Sequence, residues 1–215
     1  MLIGILGTAG SGKDTASKHL VQRHGFYSLA LADPIKIYCQ WMFGWTPEQL
    51  WGSSNKRNVV DDAMGIPPRV VLQNLGDWAR EYKKDAYIDF ALQRVEVAQT
   101  KAVGDDPLFS KLPYSIRQTR WASSKHSLDC ILAKHIVISD VRFKNEIAKI
   151  KEKGGKIIRL DRSVRAIDVR KNILEHISEL EQASIDPQEI NYAIINDGPK
   201  EDLYNALDTF TRENK

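Results

Sequence analysis

The sequence predicts an α/β protein in which a parallel sheet of about five strands is covered by helices on both faces. Three stretches carry that expectation. The chain opens MLIGILGTAGSGKDT, a short apolar run that breaks into glycines and then into helical spacing. HIVIS at 135–139 is flanked by polar residues and followed by helical periodicity, and KIIRL at 156–160 repeats the scheme. Strands that read as continuous apolar runs and alternate with amphipathic helices belong to parallel sheets, because crossover helices cover both faces.

Leu2 to Leu6 is the first strand. Ala16, Leu20 and Val21 then recur at helical spacing until Gly25 ends the pattern. Phe26 to Leu31 reads as a second strand, and Asp33-Pro34 opens a helix, proline being suited to the first turn. Residues 46–66 look irregular, with Gly52, Ser53, Ser54 and Asn55 marking a loop. Pro67-Pro68 introduces a long helix with Val71, Leu75, Trp78, Ala79 and Tyr82 on one face and Arg69, Gln73 and Arg80 on another. A further helix turns Ile88, Ala91, Leu92 and Val95 inward, and residues 101–129, without a period, read as a loop or insertion. After HIVIS, Phe143, Ile147 and Ile150 mark a helix closed by Gly154-Gly155. Lys156 to Leu160 and Tyr192 to Ile195 are the last strands, and Pro199 opens a terminal helix with Leu203, Leu207 and Phe210 inward. A length of 215 residues suits one principal core, so the expectation is a single domain, 1–215, with 46–130 as an inserted helical substrate-binding and lid-like region.

With 42% apolar and 27% charged residues the chain is globular rather than disordered. No apolar run is long enough to span a membrane and the start lacks the marks of a signal peptide, so no membrane partner and a cytoplasmic location are expected. Cys39 and Cys130 lack paired spacing, which fits free thiols, and the five histidines show no H-x-x-x-H or Cys/His spacing, which argues against a structural zinc site. A net charge of +3 without a basic helix or a DNA-reading motif points away from nucleic acid and toward a small anionic ligand.

Gly7-Thr8-Ala9-Gly10-Ser11-Gly12-Lys13 fits the phosphate-binding pattern of glycine, four residues, glycine, lysine. Glycines let successive N–H groups converge on phosphate oxygens, the following helix adds its positive end, and Lys13 lies along the β and γ phosphates. Gly10, Ser11, Gly12, Lys13, Asp14 and Thr15 are therefore the expected ATP-binding residues. Where most such loops place Ser or Thr for Mg²⁺, this chain has Asp14, with Thr15 one residue late. Asp14 either meets the magnesium, hard oxygen to hard cation, or only favours the helix N-terminus electrostatically.

Read together, SGKDT at 11–15, ADPIK at 32–36, PRVVLQNLGDW at 68–78, SDVRFKNE at 139–146, HISE at 176–179 and INDG at 195–198 resemble the bacteriophage deoxynucleoside monophosphate kinases of the P-loop nucleoside monophosphate kinase fold. The resemblance implies that Arg69 grips the acceptor monophosphate, with Gln73 and Gly76 near the nucleotide. It makes Asp140, Arg142 and Glu146 a substrate-side cluster, places Tyr87 near the base and makes Arg162 a lid arginine. Other readings stand beside these: a solvated helix-end charge for Arg69, a surface ion pair for Arg142 and Glu146, and core packing for Tyr87. His176 and Glu179 read as helix surface. Arg117, Arg120 and Lys125, interleaved with aromatics at 114–126, belong either to a flap over phosphates or to a solvated loop.

The expected reaction is transfer of the γ-phosphoryl group of ATP, with Mg²⁺, to a deoxynucleoside 5′-monophosphate, with Lys13, Arg69 and Arg142 as catalytic cations. Two rivals remain at this level, since a phosphate loop does not name the acceptor. One is a kinase of another small acceptor such as dephospho-coenzyme A or a sugar acid. The other is a nucleotide-binding regulator without transfer activity. A homodimer is left open.

Overall fold

The computed structural model describes residues 1–101, 106–120, 132–162, 181–182 and 184–214. Five parallel strands, β1 (Leu2–Leu6), β2 (Tyr27–Leu29), β3 (Ile136–Val141), β4 (Lys156–Asp161) and β5 (Tyr192–Ile195), lie in the order β2-β3-β1-β4-β5. The central strand, β1, is buried along its whole length, with Ile3 opposite Val137 on one side and Ile5 opposite Ile158 on the other.

Side chains alternate across the sheet and so define two cores. Ile3 and Ile5 join Val137, Ile158 and Leu160 beneath α1 (Lys13–His24) and the terminal helix α9 (Lys200–Glu213), which contribute Leu20, Leu203, Leu207 and Phe210. Leu2 and Leu6 join Ile136 and Ile138 on the opposite face, beneath α6 (Ala86–Thr100) and α8 (Lys144–Glu152). Gly4 falls on this second face, where a Cβ would come within 2.8 Å of the Ile150 side chain; its absence lets α8 sit close on the sheet. A third apolar cluster unites α2 (Asp33–Phe43), α3 (Pro47–Trp51) and α5 (Pro68–Tyr82) through Ile35, Cys39, Trp45, Leu50 and Val71. The helical region thus has its own small core, which draws on α2 upstream of residue 46, whereas α6 packs on the sheet.

One buried ion pair ties the chain after α6 to this framework. Arg94 Nε donates to Asp106 at 2.9 Å, the Tyr27 hydroxyl donates to the same carboxylate, and both charged side chains are all but inaccessible. A 3₁₀ turn, Phe109–Lys111, follows directly.

Several local expectations change. Residues 46–66 contain two short helices, α3 and α4 (Ser54–Arg57). Thr46 starts α3 with a reciprocal cap, its hydroxyl accepting from Gln49 N while Gln49 Oε1 accepts from Thr46 N at 2.9 Å, and Pro47 occupies the first turn. Tyr114–Arg120, expected to be loop, forms α7. The second strand is only Tyr27–Leu29, because β2 is an edge strand paired to β3 alone. Trp78 and Tyr82 point to solvent, 57% and 78% exposed, since α5 outruns the cluster on which Val71 packs. Cys39 is a buried free thiol pushed up to about 11 by burial. Cys130, the HISE segment and residues 121–126 of the basic aromatic stretch lie outside the described residues. Among the described residues no helix is long and apolar enough to cross a membrane.

Candidate active site

The loop between β1 and α1 has the backbone that its glycines predict. Gly10 and Gly12 sit at φ +82° and +102°, a region that residues with a Cβ rarely enter, and Gly12 caps α1. A side chain at Gly12 would also collide with the Asn196 amide, which donates to Ser11 O at 2.8 Å and so ties the loop to the end of β5. Ser11 N closes the turn on Thr8 O at 3.2 Å. The Lys13 ammonium curls back over the loop and donates to Thr8 O at 2.7 Å and to Gly7 O, while Arg162, just past β4, donates to Gly10 O at 3.3 Å. Two cations therefore rest on carbonyls of the loop. The Ser11 hydroxyl is wholly buried there with no hydrogen-bond partner among the described residues.

This loop forms one end of a cleft of about 720 Å³ along the carboxyl edge of the sheet, where open parallel sheets collect ligands. Among the described residues, ten Lys and Arg border the cleft against two carboxylates, Asp14 and Asp140. Arg57 on α4, Arg69 on α5 and Arg142 after β3 form a cluster. Burial, and after it the charge of Arg69, lowers the Arg57 guanidinium below its usual range, with Asp14 opposing and Arg142 adding to the effect. Lys36 on α2 is brought down to about 8 by burial, against the attraction of Asp33. Cations that disfavour one another in so confined a space need a polyanion, and phosphate oxygens relieve both their repulsion and their lost hydration.

Of the residues singled out from the sequence, Gly10, Gly12, Lys13, Asp14, Thr15, Arg69, Gln73, Gly76, Tyr87, Asp140, Arg142 and Arg162 all border this one cleft. Ser11 lies beneath the loop, and Glu146 lies behind the wall. Asp140 accepts from Leu31 N at 2.7 Å and Ala32 N at 3.1 Å, so its carboxylate anchors the turn from β2 into α2. Glu146, 2% exposed, accepts from Arg142 N at 2.8 Å and Phe143 N at 3.1 Å and pairs with Arg80 at 3.3 Å. Burial pushes its carboxyl up to about 6 despite these bonds. Tyr87 is half-buried, its hydroxyl donating to Leu75 O at 3.1 Å while its ring keeps one side on the cleft.

Lys18, Lys36, Arg57, Arg80 and Lys200 border the cleft without a role assigned from the sequence, and Arg120 reads from the sequence only as part of a flap or a solvated loop. Arg80 stands between two rings, 4.9 Å from the Tyr87 centroid and 4.3 Å from that of Phe143, a cation–π arrangement that fixes its guanidinium in the wall of the cleft. Arg120 reaches from α7 to Asp33 at 2.9 Å and to Ser28 and Ser139 at 3.3 and 3.4 Å. Asp33 is fully buried; burial raises its carboxyl, yet Arg120 foremost, with Lys36 and Arg94, holds it below the ordinary range. The ADPIK segment contained Lys36, and the basic aromatic stretch contained Arg120, but nothing in either stretch said that they meet across Asp33.

The whole chain has a relative with the same span. A protein of Acanthamoeba polyphaga mimivirus named "Putative deoxynucleotide monophosphate kinase" is 32% identical over 209 residues, which cover 96% of this chain and 94% of the relative. The chain belongs to the deoxynucleotide monophosphate kinase family. No protein-family model matches it. Membership in this family agrees with the α/β architecture and with a strand, glycine loop and helix at the head of the sheet.

Proposed function

We propose that the protein transfers the γ-phosphoryl group of ATP to the 5′-phosphate of a deoxynucleoside monophosphate, yielding ADP and the deoxynucleoside diphosphate. The observation that carries this reading is that a phosphate loop and a separate arginine cluster, Arg57, Arg69 and Arg142, open into one cleft. A protein that only bound or hydrolysed ATP would need the first of these and not the second. The family relationship supports the same choice of acceptor.

The loop fits a triphosphate: its αL glycines leave backbone donors uncovered, and both Lys13 and Arg162 now rest on loop carbonyls that phosphate oxygens would replace as partners. Asp14 and Thr15 offer oxygen atoms at the rim of the loop and would hold Mg²⁺, which supplies neutralisation of the β and γ oxygens. Lys13 stabilises the charge that spreads over the transferred group, while Arg69 and Arg142 hold the acceptor phosphate in line. No general base is called for, since the attacking phosphate oxygen is already anionic. Gln73, Gly76, Arg80 and Tyr87 line the acceptor side, where a base would lie, and Asp140 and Glu146 keep that wall in place. The helical region, residues 46–130, carries Arg57 and Arg69 and closes on the substrates, which limits transfer to water.

ADP release measured against a panel of ribo- and deoxynucleoside monophosphates tests the proposal. Turnover with deoxynucleoside monophosphates is expected. Turnover only with a non-nucleotide acceptor such as dephospho-coenzyme A, or ATP binding without turnover on any acceptor, refutes it.

A further inference from the structure

Away from the cleft, α1 and α9 meet at a cluster that phosphoryl transfer does not use. His19 and His24 lie on α1 and Asp208 on α9, and one carboxylate oxygen, Asp208 Oδ1, stands 2.6 Å from His19 Nε2 and 2.7 Å from His24 Nε2. The two imidazoles meet edge to face with centroids 5.7 Å apart, and His19 stacks on Tyr204 at 4.2 Å with the rings nearly parallel. Packing therefore orients both rings toward the same point. All three donor atoms lie within 4.8 Å of one another, and the side chains are largely covered but not sealed, at 12%, 14% and 30% exposure.

We propose that His19, His24 and Asp208 form a binding site for one divalent transition cation of the zinc type, which clasps α1 to α9. Two imidazole nitrogens and one carboxylate oxygen are the donors such a borderline cation prefers, whereas Mg²⁺ and Ca²⁺ take oxygen alone. A tetrahedral zinc with bonds of about 2.0–2.1 Å sets its ligands roughly 3.3 Å apart, so the two Nε2–Oδ1 contacts need to open by only about 0.6–0.7 Å. Each ring then offers its Nε2 lone pair and carries its proton on Nδ1, and water takes the fourth position. The consequence is mechanical. α1 begins at Lys13 of the loop, and α9 begins at Lys200 on the cleft rim, so a cation that joins these helices stiffens the support of the phosphate end.

The test uses the full chain, stripped with chelator and free of nucleotide, and Zn²⁺ alone as probe. Calorimetric titration counts equivalents, and thermal melts with and without Zn²⁺ read the linkage between binding and folding. The wild type is expected to bind an equivalent that both His24→Gln and Asp208→Asn lose, and to gain about 5 °C or more at a hundredfold excess over Kd, a gain absent in both variants. Other His and Cys residues in the chain can take up zinc, so the diagnostic quantity is the equivalent lost, not the total. Lys13→Ala is expected to keep it, which separates this site from the phosphate loop. Metal-free melts establish that each variant folds, and either variant suffices if the other does not. Equal stoichiometry and equal zinc-induced shift in the wild type and a folded variant overturn the proposal, as does a wild type that binds no zinc.

Discussion

The two ends of the cleft are built in opposite ways. At the phosphate-loop end, consecutive residues supply nearly everything: αL glycines shape the backbone, and Lys13 folds over the loop that precedes it. At the acceptor end, side chains converge from separate elements: Arg57 from α4, Arg69 and Arg80 from α5, Arg120 from α7, and Arg142 after β3. A loop of main-chain donors tolerates almost no change of local conformation, and distant parts, Asn196 and Arg162, meet it at its carbonyls. An arginine cluster depends on what packs around it: Arg120 is held by Asp33, and Arg80 by Glu146 and the Phe143 ring. The first end is therefore expected to fail by loss of chemistry, and the second by loss of structure or of acceptor binding.

Lys13→Ala is the sharpest way to break this contrast. It is expected to lower kcat by about a thousandfold or more with little change in melting temperature, since the ammonium's hydrogen bonds to Gly7 O and Thr8 O stay within the loop. Near-normal turnover would remove Lys13 from its role. Arg120→Met is expected to do the reverse and cost on the order of 3 kcal/mol of folding stability by urea denaturation, because it strands the buried Asp33 carboxylate. A loss below about 0.5 kcal/mol would mean that Asp33 does not depend on Arg120 as its counter-charge.

Arg69→Ala is expected to lower kcat/KM for the acceptor about a hundredfold while the KM for ATP stays within about threefold. An equal loss for both substrates would erase the distinction between the ends. The smallest effect belongs to Glu146→Gln and is read through pH. Burial raises the Glu146 carboxyl from 4.5 to about 6, so the folded protein holds a proton that the unfolded chain releases. Its contribution is present in full below pH 4.5 and is lost as pH rises through about 6, by about 2 kcal/mol, the 1.5-unit difference at 1.36 kcal/mol per unit. Stability curves of wild type and variant are expected to diverge across that window, the wild type losing ground as pH increases; parallel curves would show that Glu146 titrates normally.

Much of the fold was legible because period and burial coincide. Ile88, Ala91, Leu92 and Val95 on α6, and Leu203, Leu207 and Phe210 on α9, face inward as their spacing requires. The same logic failed for Trp78 and Tyr82, which share a face with Val71 but extend past the helices that could cover them. Periodicity states which residues share a side, not how far the neighbour reaches. At the site, the family resemblance made Asp140 and Glu146 groups on the substrate side, and both carboxylates accept from main-chain donors of the turns they stabilise. Short acidic side chains near strand ends serve either purpose, and only their hydrogen-bond partners distinguish the two.

The amino-acid sequence by itself determined the parallel α/β class and the phosphate loop, because both rest on local conformation: apolar runs that must be buried, and glycines that alone enter αL without strain. Tertiary structure alone decided which cations share the cleft, that Arg80 meets the Phe143 ring, and that His19 and His24 meet Asp208 across 189 and 184 residues of chain. Contacts of that kind depend on how helices pack over a sheet, and no window along the chain contains both partners.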